Sequence, residues 1–474
     1  MAAMDPLHAA GHPDAPVDPH GLPPAPGYVQ SLPREHGFEP LRVEGAIPHE
    51  LRGTLYRVGP ALFELFGRRY AHPFEADGAV TAVRFAVGRA QGAVRVVVGA
   101  DLAEERRRGH PLYGSIAPWP RRLWNGLRAR SKNAANTALL AWQGELLALY
   151  EANRPTRIAP DDLATRGETD LGGVVHGGFS AHPHAVLARG ALYNFGLRYG
   201  PRTHVDFFEL PFRGSARLIG SRKLRRPVML HDFVATERHL VLFVSPVEVD
   251  VARGLLGLGS FGGLFQWRPE HGTEVIVVPI DRPDDTVTFV TDASWQWHFA
   301  GGQERDGQIV LHRIHYDDFA SFEQLGEGGR AGTGRLHRTV LDVARRRMRS
   351  EPLWDVPCEF PRVDERHPTP RHVFVMAQEA GRRAVARVDL EGGSPTRWLC
   401  GEGERPSEAV FVPRAASGEE GDGWLLTLVY DPSRHQSHVA VLDARNLGEG
   451  PVARAWFDHH VPMTFHGLWW PDDG

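Results

Sequence analysis

The strongest constraint on this chain is a recurrence. From about residue 40 onward, short apolar runs are broken by turn residues roughly every 8–12 positions, with little 3.6-residue periodicity. Ala138–Tyr150 reads as two strands joined through Gln143-Gly144-Glu145. Val373–Gln378 and Ala384–Leu390 are joined through Glu379–Arg383, and Trp424–Tyr430 and His438–Leu442 flank Asp431-Pro432-Ser433. Further hairpins fall at Val80–Ala100, Ala191–Leu210, Phe233–Val249 and Gln308–Tyr316. Many short strands predict a sandwich, a barrel or a propeller. The same unit recurs over about 400 residues without a long polar linker, which favours radial repetition, because a propeller buries each small sheet against its neighbours. The expected architecture is all-β: one β-propeller domain over 31–474, preceded by a disordered tail, 1–30. Met1–Pro26, rich in Pro, His and Ala, has neither a charged n-region nor an apolar h-region and does not read as a secretion signal.

Composition narrows the function classes. A net charge of −4 over 474 residues gives no reason to expect a nucleic-acid partner. No segment reaches the roughly 18 uninterrupted apolar residues of a membrane span. Two cysteines, Cys358 and Cys400, are too few for a disulfide framework or a thiolate metal site and suit a reducing cytoplasm. Histidine is the outlier, with 25 copies, so the context of each one has to separate ligands from surface residues.

Most histidines keep polar company, as in Glu237-Arg238-His239, Glu270-His271, Arg313-Ile314-His315 and Leu336-His337-Arg338, and read as solvated loop or edge residues. Four differ. His182 lies in Phe179-Ser-Ala-His-Pro-His184, His231 in Val228-Met-Leu-His-Asp-Phe233, His298 in Trp295-Gln-Trp-His-Phe-Ala300, and His466 in Met463-Thr-Phe-His-Gly-Leu-Trp469. Each sits among apolar or aromatic neighbours at a strand boundary, where a buried imidazole needs partners for its nitrogens. Taken singly, each is better read as a hydrogen-bonded core histidine. Together in a cyclic fold they read as ligands, because strands from different blades can deliver side chains to one axis. Neutral imidazole suits iron, copper, nickel or zinc. A ligating histidine normally passes its other N–H to a carboxylate. Glu151, Glu359 and Glu408 stand in similarly apolar strand contexts, the alternative being strand-end carboxylates with their heads in water.

These residues belong to a pattern. Leu51-Arg-Gly-Thr-Leu-Tyr-Arg-Val-Gly-Pro60 is followed by His72-Pro-Phe-Glu-Ala-Asp-Gly78, then Ala135-Asn-Thr-Ala-Leu-Leu140 and Leu146-Leu-Ala-Leu-Tyr-Glu151. Ala181-His-Pro, Tyr193-Asn-Phe-Gly196 and His231-Asp-Phe come next, then Glu359-Phe-Pro, Glu408-Ala-Val-Phe-Val-Pro413 and Val461-Pro-Met-Thr-Phe-His-Gly467. In order and spacing the chain resembles the carotenoid cleavage oxygenases, and most closely their bacterial apocarotenoid- and stilbene-cleaving members. The resemblance implies a seven-bladed propeller capped by a dome of long loops with a few short helices, and a hydrophobic tunnel leading to one Fe(2+). By motif position the iron ligands are His182, His231, His298 and His466, with Glu151, Glu359 and Glu408 as outer-shell carboxylates. The family's threonine beside a vacant iron position matches Thr137, and Tyr150 and Phe360 match positions that line the tunnel. Three departures stand out: Ala76-Asp-Gly-Ala79 where relatives have Gly-Asp-Gly-Met, Gly301-Gly302 for Asn-Ala, and Met463-Thr464 for Tyr-Gly. None removes a ligand.

The implied chemistry is dioxygen cleavage of a carbon–carbon double bond of an apocarotenoid or carotenoid to two carbonyl products. A stilbene is the alternative substrate, with Lys132 or a tyrosine holding its phenol, and a non-catalytic metal-binding propeller is the reading from another class. Leu112–Lys132 mixes Tyr113, Ile116, Trp119, Leu123, Trp124 and Leu127 with Arg121, Arg122, Arg128, Arg130 and Lys132, a pattern suited to peripheral contact with a membrane surface, and the glycine-rich Leu255–Trp267 is expected beside it. The alternative is a dome loop packed on its own protein.

Overall fold

The computed structural model of the chain describes residues 25–200, 202–322 and 333–472. Among the described residues, seven antiparallel sheets of four to six strands surround one axis, with two further two-stranded sheets. The innermost strands are Gly467–Pro471, Ala138–Trp142, His184–Val186, Val234–Ala235, Phe299–Arg305, Cys358–Arg362 and, in the last blade, Arg405–Pro406 with Val410–Pro413. We number the blades one to seven in that order.

Local chemistry explains the repeat. Gln143 (φ 49°) and Gly144 (φ 82°) close the blade-two hairpin, and Ala380 (φ 49°) and Gly381 (φ 73°) close that of blade six. Two successive positive φ values make the mirror-image turn whose twist matches paired strands. Two hairpins differ from the sequence expectation. Gln308–His315 is a single strand that pairs with Phe299–Arg305, because the turn lies upstream at Asp306-Gly307. In Phe233–Val249, Val234–Ala235 pairs with His239–Val244, whereas Val247–Val249 leaves the blade to pair with Phe265–Trp267.

The ring closes by exchange between the chain's two ends. Blade one pairs Gly53–Leu62 with the C-terminal Gly467–Pro471, and blade seven takes Arg42–Gly45 beside Pro451–Trp456. Pro26–Val29, which the sequence reading assigned to the disordered tail, forms a 3₁₀ turn, and the Gly27 N–H donates to the Tyr430 hydroxyl at 3.1 Å. Residues 1–24 lie outside the described residues.

Seven apolar clusters separate the blades, one at each interface. Leu55, Val83, Leu426 and Val441 pack blade one on seven, and Ile314, Leu336, Val373 and Val375 pack five on six. The strands buried on both faces, such as Gly423–Asp431, are continuous apolar runs for this reason. Loops leading into the innermost strands build most of the dome and hold helices α1 (Ala100–Arg108) and α2 (Trp119–Leu127), while α3 (Val251–Leu255) comes from the loop between His239–Val244 and Thr273–Pro279, the second and third strands of blade four.

Candidate metal centre

Every blade contributes one residue at the start of its innermost strand. Thr137 precedes Ala138, His298 precedes Phe299, and His466 precedes Gly467. His182, His231 and Glu408 lie within three residues of theirs, and Glu359 is the second residue of Cys358–Arg362. Strands that radiate from one axis bring these starts to one point. The side-chain nitrogens of His182, His231, His298 and His466 all lie within 4.8 Å of one another.

The Nε2 atoms face inward. His182 and His231 are 3.0 Å apart, His231 and His298 3.3 Å, and His298 and His466 3.1 Å. Nitrogens bound at right angles about 2.1 Å from one ion would lie about 3 Å apart, so the spacing fits a shared metal. Burial and the neighbouring imidazoles hold His182 well below its ordinary pKa, and burial pushes His466 down to about 4. Burial works against the charged form of His298, yet Glu359 holds its pKa above the ordinary value; the neutral rings of His182 and His466 present lone pairs that a metal cation would match.

Three carboxylates hold the outer nitrogens. Glu359 accepts from His298 Nδ1 at 2.5 Å and Glu408 from His466 Nδ1 at 3.0 Å, while Glu151 contacts His231 Nδ1. All four candidate histidines and all three candidate glutamates thus meet at one centre. Glu151 arrives from the loop after Glu145–Leu149 rather than from an innermost strand. Burial favours the acid form of Glu408, yet Arg362, His466 and Arg57 hold it down to about 2.

Phe360 adopts φ 54° where its strand bulges, and its ring stacks on His298 at 5.0 Å with His466 at 5.2 Å. Thr137 is buried; its carbonyl accepts from the His466 N–H at 3.3 Å and its hydroxyl donates to Asn136 Oδ1 at 3.1 Å. Tyr150 is half-buried beside Glu151, and among the described residues its hydroxyl makes no hydrogen bond.

Four supporting residues escaped the sequence reading. Asp232 accepts from the Phe233 and Phe299 N–H groups at 2.7 and 2.8 Å, tying the His231 segment to the His298 segment, and it also bonds His184 Nε2. Arg57, fully buried, donates to the Glu408 and Phe465 carbonyls and to Thr464 Oγ1. Tyr316 donates to Glu359 at 3.0 Å, and Trp297 stands edge-on to His231 at 4.9 Å. The only available signals were the acid next to His231 and the tryptophan next to His298.

Lys132 requires a correction. Read as a surface cation or a phenol partner, it is instead buried, and its ammonium is held by Asp77 at 2.6 Å, Glu105 at 2.7 Å and Tyr70 at 3.0 Å. Tyr113 and Ile116 are buried as well. Trp119, Trp124 and Leu127 of α2 are exposed, and Leu255, Leu256 and Leu258 beside them are exposed too. Gly126 permits this pairing of α2 and α3, since a Cβ there would meet the Leu255 carbonyl at 2.2 Å. Among the described residues no helix is long and apolar enough to cross a membrane.

The family model described as retinal pigment epithelial membrane protein, RPE65, matches residues 29–471. Apocarotenoid-15,15'-oxygenase from Synechocystis is 31% identical over 473 residues, covering 94% of this chain and 95% of that protein. Resveratrol cleavage oxygenase 1 from Botryotinia fuckeliana is 26% identical over 468 residues, covering 90% and 82%. The solved structure of the cobalt-substituted Synechocystis oxygenase superposes with a TM-score of 0.86 at 31% identity, over 94% of this chain and 98% of that one.

Proposed function

Since the chain belongs to the RPE65 family of carotenoid cleavage oxygenases, we propose that its four histidines hold one iron(II) and that it cleaves a double bond of an apocarotenoid, both atoms of dioxygen ending in the two carbonyl products. The observation that carries this reading is the convergence of four Nε2 atoms within 4.8 Å, with three carboxylates behind them. His182, His231, His298 and His466 would hold iron(II) there, and the metal would supply the activation of dioxygen.

The protein's own residues do the rest. Glu151, Glu359 and Glu408 orient the imidazoles and raise their basicity. Phe360 covers His298 and His466, and together with Phe74, Trp297 and Phe465 it forms an aromatic wall above the histidines. A rod-like alkene laid along that wall has one double bond held near the centre, which removes much of the entropic barrier. By the resemblance, Thr137 and Tyr150 line the same space. The unpaired Tyr150 hydroxyl suits a polar substrate end, and it is the one feature that keeps a hydroxystilbene as the second reading; Lys132, fully paired, does not serve it.

Substrate of this kind partitions into bilayers. The exposed side chains of α2 and of the segment after α3 suit shallow, reversible docking there, with Arg121, Arg128 and Arg130 toward the headgroups. Incubating the iron-loaded protein with apocarotenals and hydroxystilbenes in parallel, with oxygen uptake and product mass measured, decides the substrate. Two aldehydes from an apocarotenal at one oxygen per turnover are expected. Turnover of the stilbene alone overturns the apocarotenoid reading.

A further inference from the structure

A cavity of about 470 Å³ opens on His182, His298 and His466. Its walls continue along the innermost strands past the histidines: Ala138–Ala141, His184–Leu187, Phe299–Gln303 and Leu468–Trp469 all lie downstream of the site residue in their blade. Most of the dome is built from loops upstream of those residues. The cavity therefore runs along the axis away from the dome, on the side of the histidines that the substrate does not need.

Its chemistry also differs from that of the dome side. The aromatic wall above the histidines is apolar, and of its members only Phe360 also borders the cavity. The axial cavity has Thr236, Gln303 and His312 on its wall and four carboxylates, Asp232, Glu237, Glu365 and Glu408, against two guanidiniums, Arg362 and Arg366. Arg366 is neutralised by Asp364 at 2.6 Å, and Arg362, between Glu408 and Glu365, offsets one of the four carboxylates, so the wall stays net negative. The outer Glu237 and Glu365 are exposed. A divalent cation carries a hydration shell that an apolar route would strip at high cost, whereas a polar, net-negative passage lets it keep water or exchange it stepwise for side-chain oxygen and nitrogen.

We propose that this axial channel is the path by which a hydrated divalent metal ion reaches the four histidines, separate from the substrate's path through the dome. The proposal rests on the reading of the histidines as a metal centre. Gly301, which departs from the family pattern, lines the channel and keeps it wide: a Cβ built there meets nothing within 4 Å, whereas one at Gly302 would meet Val234 at 2.7 Å.

Ala141 and Ala185 provide the test, because both are exposed residues of innermost strands that line the channel and neither belongs to the centre. Full-length protein stripped by chelator is mixed with Co²⁺, and uptake is followed by its visible absorption; release from the loaded protein into excess chelator is followed in the same way. In A141W and in A185W, uptake and release should both slow by about tenfold or more while the dissociation constant stays within about twofold, the signature of a narrowed path. Replacing Glu237 and Glu365 together by Gln should slow uptake several-fold and flatten its salt dependence. Parent rates in both tryptophan variants, with unchanged melting temperature and affinity, overturn the channel and leave the metal centre standing. A parent protein that takes up no Co²⁺ overturns the reading of the histidines instead.

Discussion

Two buried ionic centres do opposite jobs. At the axis, Glu408 meets His466, Arg57 and Arg362. Under the dome, Lys132 meets Asp77, Glu105 and Tyr70. Both are almost wholly removed from water, so burial of charge does not by itself mark a functional site. The difference lies in what remains unmet. Every donor of the Lys132 ammonium is used within the cluster, whereas the carboxylates at the axis engage the outer nitrogens of the histidines and leave Nε2 facing a common point. The first arrangement closes a structure. The second holds ligands ready.

The two centres also titrate in opposite senses. Glu408 is held down to about 2 from an ordinary 4.5, so its contribution to stability is complete above about pH 4.5 and fades as the pH falls toward 2. Asp77 is pushed up to about 6 from 3.8 by burial, because two carboxylates share one ammonium; its share of stability falls as the pH rises from about 3.8 to 6. Unfolding curves across that range should show E408Q flattening the acid limb and D77N flattening the slope between about pH 4 and 6. Parallel changes in the two variants would erase the distinction.

The largest effect should come from the ligands. His231→Ala and His298→Ala are each expected to reduce bound metal from about one ion per chain to near none and to abolish alkene cleavage, by elemental analysis and oxygen uptake. Full metal occupancy in either variant breaks the comparison outright. Next comes Lys132→Met, expected to cost about 3–5 kcal/mol of folding stability by leaving the two acids unpaired, while folded chains keep their metal. Loss of metal at unchanged stability would make the dome cluster part of the site. Glu151→Gln, Glu359→Gln and Glu408→Gln should each weaken activity or metal affinity by about 10–100-fold with the fold intact. Normal kinetics in all three would reduce them to structural acids. The smallest effect is expected at the surface. Trp124→Glu with Leu127→Glu should lower liposome binding and turnover of membrane-dispersed substrate several-fold, and spare detergent-solubilised substrate. Equal loss of both activities would make α2 a structural part of the dome.

The candidate ligand set was legible only as a set: each histidine among Phe, Trp and Leu at a strand boundary reads singly as a core residue, and four of them in a cyclic fold, with Glu359 and Glu408 in similar surroundings, read as a centre. Arg57 was not legible. It sits inside the segment Leu51–Pro60, but nothing local distinguishes it from the chain's other 53 basic residues until the Glu408 and Phe465 carbonyls, some 350 and 400 residues away, are placed around it. Lys132 misled for the same reason, since its aromatic and basic neighbours read as a surface while Asp77 and Glu105 come from other elements.

Strands, turns and candidate ligands follow from the sequence alone, because periodicity, positive-φ turn residues and polar atoms in apolar runs act over a few residues. Tertiary structure alone decided that the innermost strands all start at one end of the axis, that the ring closes by exchanging terminal strands, that Lys132 is buried, and that a polar cavity runs on beyond the histidines. Each of these depends on closure of seven sheets into a ring, and closure is a property of contacts hundreds of residues apart, which no local pattern encodes.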